Sequence, residues 1–142
     1  MRLSRKTWFT LVLLITLFIF LPRCSGEGEE KIIIRELVLD GKERMTVSSR
    51  ALILTGNMTV KNQSELLVTG SQIQLSIRGE KGYNVSIIDQ GKMVMSNSTL
   101  ETLSNKSIVN LSGNSSMTLI GSNVKGFKAF FTSGNSTLTI QS

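Results

Sequence analysis

Apolar residues recur two apart through most of the chain, at Leu66 and Val68, Met93 and Met95, Met117 and Leu119, and Leu138 and Ile140. A period of two turns one side chain toward a core and the next toward solvent, which is the pattern of a strand. Val, Ile, Thr and Ser dominate these runs, and no long helical pattern follows residue 26. The surroundings of each pair also repeat. Met58–Leu75, Val85–Thr102, Ser107–Gly126 and Lys128–Ser142 superpose. Each opens on a short β-favouring run, crosses a polar turn of Gly, Asn or Ser, and enters the alternating run. In the first three a small polar pair follows: Gly70-Ser71, Asn97-Ser98 and Gly121-Ser122. An apolar residue returns two positions after each of those serines, at Ile73, Leu100 and Val124.

The equivalent turn residues Ser64, Gly91, Ser115 and Ser136 are 27, 24 and 21 residues apart. A helical repeat holds its period more tightly, whereas a coil of strands absorbs extra residues in a loop, here "RGEKGYN" (78–84). A unit of about two dozen residues cannot bury its own apolar face, but stacked units bury a continuous core and satisfy each other's backbone. The pattern therefore predicts a β-solenoid over residues 58–142. The absence of proline after residue 22 suits uninterrupted ladders. Residues 27–57 fit less well. Asp40-Gly41 between two β-like runs is a hairpin signal, and this segment reads as an N-terminal cap or an irregular first rung. The final stretch stops inside a strand pattern, "TLTIQS". An open last rung presents unpaired N–H and C=O groups. It predicts self-association through that rung, or a polypeptide that continues.

The rungs "DQGKMVMSNSTL" and "SGNSTLTIQS" resemble those of right-handed parallel β-helix proteins of the pectate-lyase-like superfamily, above all the Ser/Thr/Asn-rich rungs of exported archaeal surface proteins. The resemblance covers Met58–Ser142. It implies an all-β fold, a right-handed parallel β-helix (β-solenoid) of about four short rungs; the start of the chain reads separately, from its own residues, as an N-terminal signal or anchor helix. In that superfamily's enzymes, paired aspartates on one face do the chemistry or bind calcium. This sequence has only Asp40 and Asp89, far apart, so those roles have no positions to occupy.

Composition adds a targeting segment. Arg2, Arg5 and Lys6 precede an apolar run from Trp8 to Leu21, then Pro22 and the small residues Cys24-Ser25-Gly26. These are the parts of a secretory signal peptide. The run is short for a membrane span, which needs about 20 apolar residues. Residues 1–26 thus read as a signal peptide, with a signal anchor holding the membrane through residues 8–21 as the alternative. Without that segment the net charge falls from +6 to +2. The remaining basic residues are scattered singly, so no nucleic-acid face is expected. The part after residue 26 has no Cys, His, Pro or Trp. It must be stabilised without disulfides, and it lacks the usual zinc ligands and the usual general base.

The strongest local motif is the N-glycosylation acceptor Asn-x-Ser/Thr. It occurs at Asn57, Asn62, Asn84, Asn97, Asn105, Asn110, Asn114 and Asn135, and only Asn123 of the nine asparagines lacks it. Fold chemistry explains part of the excess, since turns favour Asn and Ser while strands favour Thr. Positions beside turns, Asn62, Asn114 and Asn135, are better acceptors than Asn110 between Val109 and Leu111. Glu65, Glu80, Asp89 and Glu101 would serve sugar or cation chemistry only if they shared one face. Of the few aromatics, Tyr83, Phe127, Phe130 and Phe131, the phenylalanine cluster reads as a plug over the core or the last rungs. No cofactor or metal site is expected. The sequence predicts a non-catalytic, exported, N-glycosylated structural or adhesive solenoid, extracytoplasmic and either secreted or membrane-anchored. Its partner would be carbohydrate or a cell-envelope component. The alternatives are a carbohydrate-binding or carbohydrate-active β-helix, or a fragment of one, and a small β-sandwich binding domain on a membrane anchor.

Overall fold

The structure, a computed structural model, describes residues 30–75 and 82–142. The expected signal or anchor segment and Glu80 lie outside the described residues. The chain coils three strands at a time. The first turn holds β1 (Lys31–Ile34), β2 (Leu37–Leu39) and β3 (Arg44–Ser48), and the second β4 (Ala51–Leu54), β5 (Met58–Val60) and β6 (Glu65–Thr69). The third holds β7 (Gln72–Leu75), β8 (Val85–Ile87) and β9 (Lys92–Ser96). The fourth holds β10 (Thr99–Thr102), β11 (Ile108–Leu111) and β12 (Ser116–Ile120), and the fifth β13 (Asn123–Lys125), β14 (Ala129–Thr132) and β15 (Thr137–Gln141). Every third strand joins one sheet: β1-β4-β7-β10-β13 forms sheet A, β2-β5-β8-β11-β14 sheet B and β3-β6-β9-β12-β15 sheet C. All pairings within the sheets are parallel. The fold is an all-β, right-handed parallel solenoid of five turns.

The repeat spacing holds as register. Glu65 pairs with Lys92, Lys92 with Ser116 and Ser116 with Thr137, giving steps of 27, 24 and 21 residues. Corner lengths explain why the period drifts. The corner from sheet B to sheet C always has four residues, and that from C to A always two. The connection from sheet A to sheet B runs from two residues (Arg35 and Glu36) to the nine positions between β7 and β8, some of them outside the described residues, so it takes up most of the variation.

The five turns are one more than the repeats predicted. Asp40-Gly41, which carries a hairpin signal, turns the B-to-C corner of the first turn. Its flanking strands lie in different sheets, Leu37 pairing with Met58 and Arg44 with Glu65. The local chemistry is the same in both cases. A left-handed residue reverses the chain tightly, and a neighbouring turn decides whether the next strand folds back or moves on. The second residue of this corner is left-handed in every turn: Gly41 (φ 68°), Asn62 (54°), Asp89 (58°), Gly113 (71°) and Gly134 (67°). Gly, Asn and Asp are the residues that tolerate this region. At the fourth corner position, Gly91 lies so close to the Val60 carbonyl that a methyl group would collide with it.

Inward residues form columns along the axis. One runs Met45, Leu66, Met93, Met117 and Leu138, and its neighbour Val47, Val68, Met95, Leu119 and Ile140. The middle members are fully buried. Fully burying each such side chain is worth about 1.5–3 kcal/mol. Together with the ladders, these columns stabilise a coil that has no cysteine among its described residues.

Candidate functional site

The corners carry most of the chemistry-bearing side chains. At the C-to-A corner three serines hydrogen-bond in series. Ser71 Oγ accepts the Arg50 N–H at 3.3 Å, Ser98 Oγ accepts the Ser71 N–H at 3.1 Å, and Ser122 Oγ accepts the Ser98 N–H at 3.1 Å. Each hydroxyl also donates to the carbonyl two residues back, at Thr69, Ser96 and Ile120. The backbone groups that a corner would leave unpaired are thereby satisfied.

A second series uses asparagine at the A-to-B corner. The Asn84 N–H donates to Asn57 Oδ1 at 2.9 Å, and the Ile108 N–H donates to Asn84 Oδ1 at 3.3 Å. These two acceptor-motif asparagines are bound into the frame through their side-chain oxygens. Asn84 is half-buried and Asn57 exposed.

The other six sit elsewhere. Asn62 is exposed at the left-handed position of the second B-to-C corner, and its Nδ2 donates to Asp40 Oδ1 at 2.8 Å. That bond, then the Lys61 ammonium and the Gly41 N–H, hold the Asp40 carboxyl below the usual aspartate range. Asn114 and Asn135 occupy the third corner position in adjacent turns and are both exposed. Asn97 is exposed and left-handed (φ 48°) at a C-to-A corner. Asn105 is exposed between β10 and β11. Asn110 alone lies within a strand, outward on β11 and half-buried, in register with Ser86 and Phe131.

The hydroxyl two residues after each asparagine separates the motifs further. After Asn62 and Asn105 it belongs to Ser64 and Ser107, both fully buried. Ser107 Oγ is held by Thr102 Oγ1 at 3.0 Å and by the Tyr83 N–H at 3.1 Å. After Asn97 and Asn114 it belongs to the half-buried Thr99 and Ser116. After Asn135 it belongs to the exposed Thr137, so this motif presents both of its functional groups to solvent.

The carboxylates are dispersed. Glu65 lies on sheet C, Asp89 at a B-to-C corner and Glu101 on sheet A. Glu65 bridges Arg44 at 2.5 Å and Lys92 at 3.0 Å along one outer column. Lys92, with Arg44 beside it, holds the Glu65 carboxyl below the usual glutamate range. Glu101 Oε1 accepts from Gln72 Nε2 at 2.8 Å, in a polar groove on sheet A that Asn97, Thr99 and Lys125 also line. Among the described residues no group of three His, Cys, Asp or Glu is placed to hold a metal ion. The aromatics divide. Tyr83 and Phe127 pack against the core, Phe130 lies over the last turn with its ring 6.4 Å from that of Phe127, and Phe131 points outward.

No protein family, characterised protein or solved structure matches this chain. The fold itself defines the class, a parallel β-solenoid whose corners expose acceptor-motif asparagines.

Proposed function

We propose that this protein is a non-catalytic, N-glycosylated β-solenoid of the cell exterior, exported by residues 1–26 and acting as a structural or adhesive rod. The observation that carries the reading is the exposure of Asn57, Asn62, Asn97, Asn105, Asn114 and Asn135 at corners, where a glycan projects without disturbing a sheet. The likeness of the rungs to pectate-lyase-like β-helices and exported archaeal surface proteins supports the same reading. So does the dispersal of Glu65, Asp89 and Glu101 over separate places on the rod. The mechanism is geometric. A stacked coil keeps its faces in fixed register, sugars shield the corners, and carbohydrate or cell-envelope components meet the flat faces between them.

Glycopeptide mass spectrometry of the chain exported from a host with N-glycosylation machinery tests this. Asn135 is expected to be the most occupied site, because its amide and the Thr137 hydroxyl are both accessible after folding. Asn97 and Asn114 follow, and Asn84 is expected to be least occupied. A mature protein whose mass equals the bare polypeptide would overturn the glycan reading. An intracellular location would overturn the whole.

A further inference from the structure

Asn97 holds the first position of the C-to-A corner that leads into β10. The residues at that position one turn before and one turn after are Gly70 and Gly121. Gly70, Asn97 and Gly121 are all left-handed, with φ of 54°, 48° and 52°. Glycine enters this region without cost, and asparagine is among the few other residues that tolerate it. A methyl group on Gly121 would stand 2.8 Å from Asn97 Oδ1, so the missing side chain makes room for the Asn97 amide. Asn62 gives its Nδ2 to Asp40, and Asn57 and Asn84 use their Oδ1 within the frame. Asn97 is exposed, and among the described residues its amide is in no such bond.

The groove beside Asn97 crosses β7, β10 and β13 on the outer face of sheet A. It holds about 350 Å³, within the roughly 300–1,000 Å³ of small-ligand sites. Both functional residues of the acceptor motif, Asn97 and Thr99, line it. So do Glu101, which accepts from Gln72 Nε2, and Lys125. Glu101 and Lys125 stand in register on adjacent strands, yet among the described residues no ion pair joins them. A carboxylate, an ammonium, an amide and a hydroxyl together supply the donors and acceptors that sugar hydroxyls match. An open polar groove holds a free sugar weakly, because water competes for each bond and association costs freedom. A sugar linked to Asn97 has already lost that freedom. Its effective concentration at the groove is of the order of millimolar.

We infer that this groove seats the glycan carried by Asn97 itself. The seat presupposes the glycosylation proposed above and adds where one of its sugar chains lies. The innermost sugar rests against Thr99 and Glu101 on β10, with Gln72 on one neighbouring strand and Lys125 on the other. A glycan on Asn135 starts from a B-to-C corner, away from this groove, and projects freely. The seated glycan covers the polar face of sheet A and leaves sheets B and C to meet other components.

The test uses the full chain, isotopically labelled and exported from a host with N-glycosylation machinery, in detergent if the first segment is retained. Glycopeptide mass spectrometry first reads the occupancy of Asn97 and Asn135. Nuclear Overhauser contacts should then join the first sugar on Asn97 to the Thr99 and Gln72 side chains. That sugar should relax with the rod, and the first sugar on Asn135 faster. Glu101→Ala combined with Lys125→Ala, both outward side chains, should keep the β-type circular dichroism and abolish those contacts. Asn97→Gly gives the corner the residue of its neighbouring turns and removes the acceptor. Oligosaccharide released from the wild-type protein, added to this variant at millimolar concentration, should leave the Thr99 and Gln72 resonances unshifted. Four results would overturn the seat alone: an Asn97 glycan as mobile as that on Asn135, a bare Asn97 beside an occupied Asn135, contacts that survive the double variant, or resonance shifts with the free oligosaccharide. A chain bare at every acceptor would overturn the glycosylation reading as well.

Discussion

Ser98 and Ser115 are both buried serines at corners, yet the structure gives them different tasks. Ser98 Oγ accepts the Ser71 N–H and donates to the Ser96 carbonyl. Ser115 Oγ is buried without a hydrogen-bond partner. Removing an acceptor from a buried N–H costs about 1–3 kcal/mol, whereas removing an unpaired hydroxyl is close to neutral. Ser98→Ala should therefore lower unfolding stability in urea by about 1–3 kcal/mol, and Ser115→Ala should change it by less than about 0.5 kcal/mol. Ser115 is the middle residue of the Asn114 motif, so its replacement leaves that glycan acceptor intact. Equal losses for the two variants would show that the serine series does not stabilise the corners. At this scale the sequence was only partly legible. The pairs Gly70-Ser71, Asn97-Ser98 and Gly121-Ser122 were visible as a recurring motif because they are local. The Asn57 and Asn84 side-chain bonds were not, since they join residues 27 and 24 positions apart. An acceptor motif reads the same whether its asparagine is free or bound into the frame.

Between turns, the outer column Arg44–Glu65–Lys92 on sheet C is the clearest electrostatic element. Glu65 is 14% exposed and lies between two cations on adjacent strands. Because its carboxyl is held below the ordinary glutamate value of 4.5, the unfolded chain takes up a proton first as the pH falls. The stabilisation is therefore fully present above the ordinary value and is lost as the pH drops through the depressed one. Glu65→Gln should cost about 0.5–1 kcal/mol at neutral pH, and its unfolding stability should change less than that of the wild type on acidification. A variant whose acid sensitivity equals the wild type's would show that the column contributes nothing. Strands were more legible than corners. Period two exposed β6, β9, β12 and β15 directly, and Ser64, Gly91, Ser115 and Ser136 set their register. The first turn was harder to see because Asp40-Gly41 carries the same signal as a hairpin and eight charges surround its apolar pairs. The separation of Glu65, Asp89 and Glu101 was not legible either, because the face a side chain occupies depends on the lengths of all the corners before it.

As a whole, the molecule is a rod in which each turn supplies the core and the backbone partners that its neighbour lacks. Rigidity follows from that stacking, and the surface role proposed here needs rigidity. Lys31 on β1 and Asn123 on β13 stand at the two ends of one outer column of sheet A, four layers apart through Ala51, Gln72 and Thr99. The most direct measurement is the distance between spin labels at these two positions, with labelled full-length chain diluted into unlabelled chain. Five stacked parallel turns predict a single narrow distribution centred near a backbone separation of about 19 Å. A broad distribution, or a mean far from that separation, would contradict the rod.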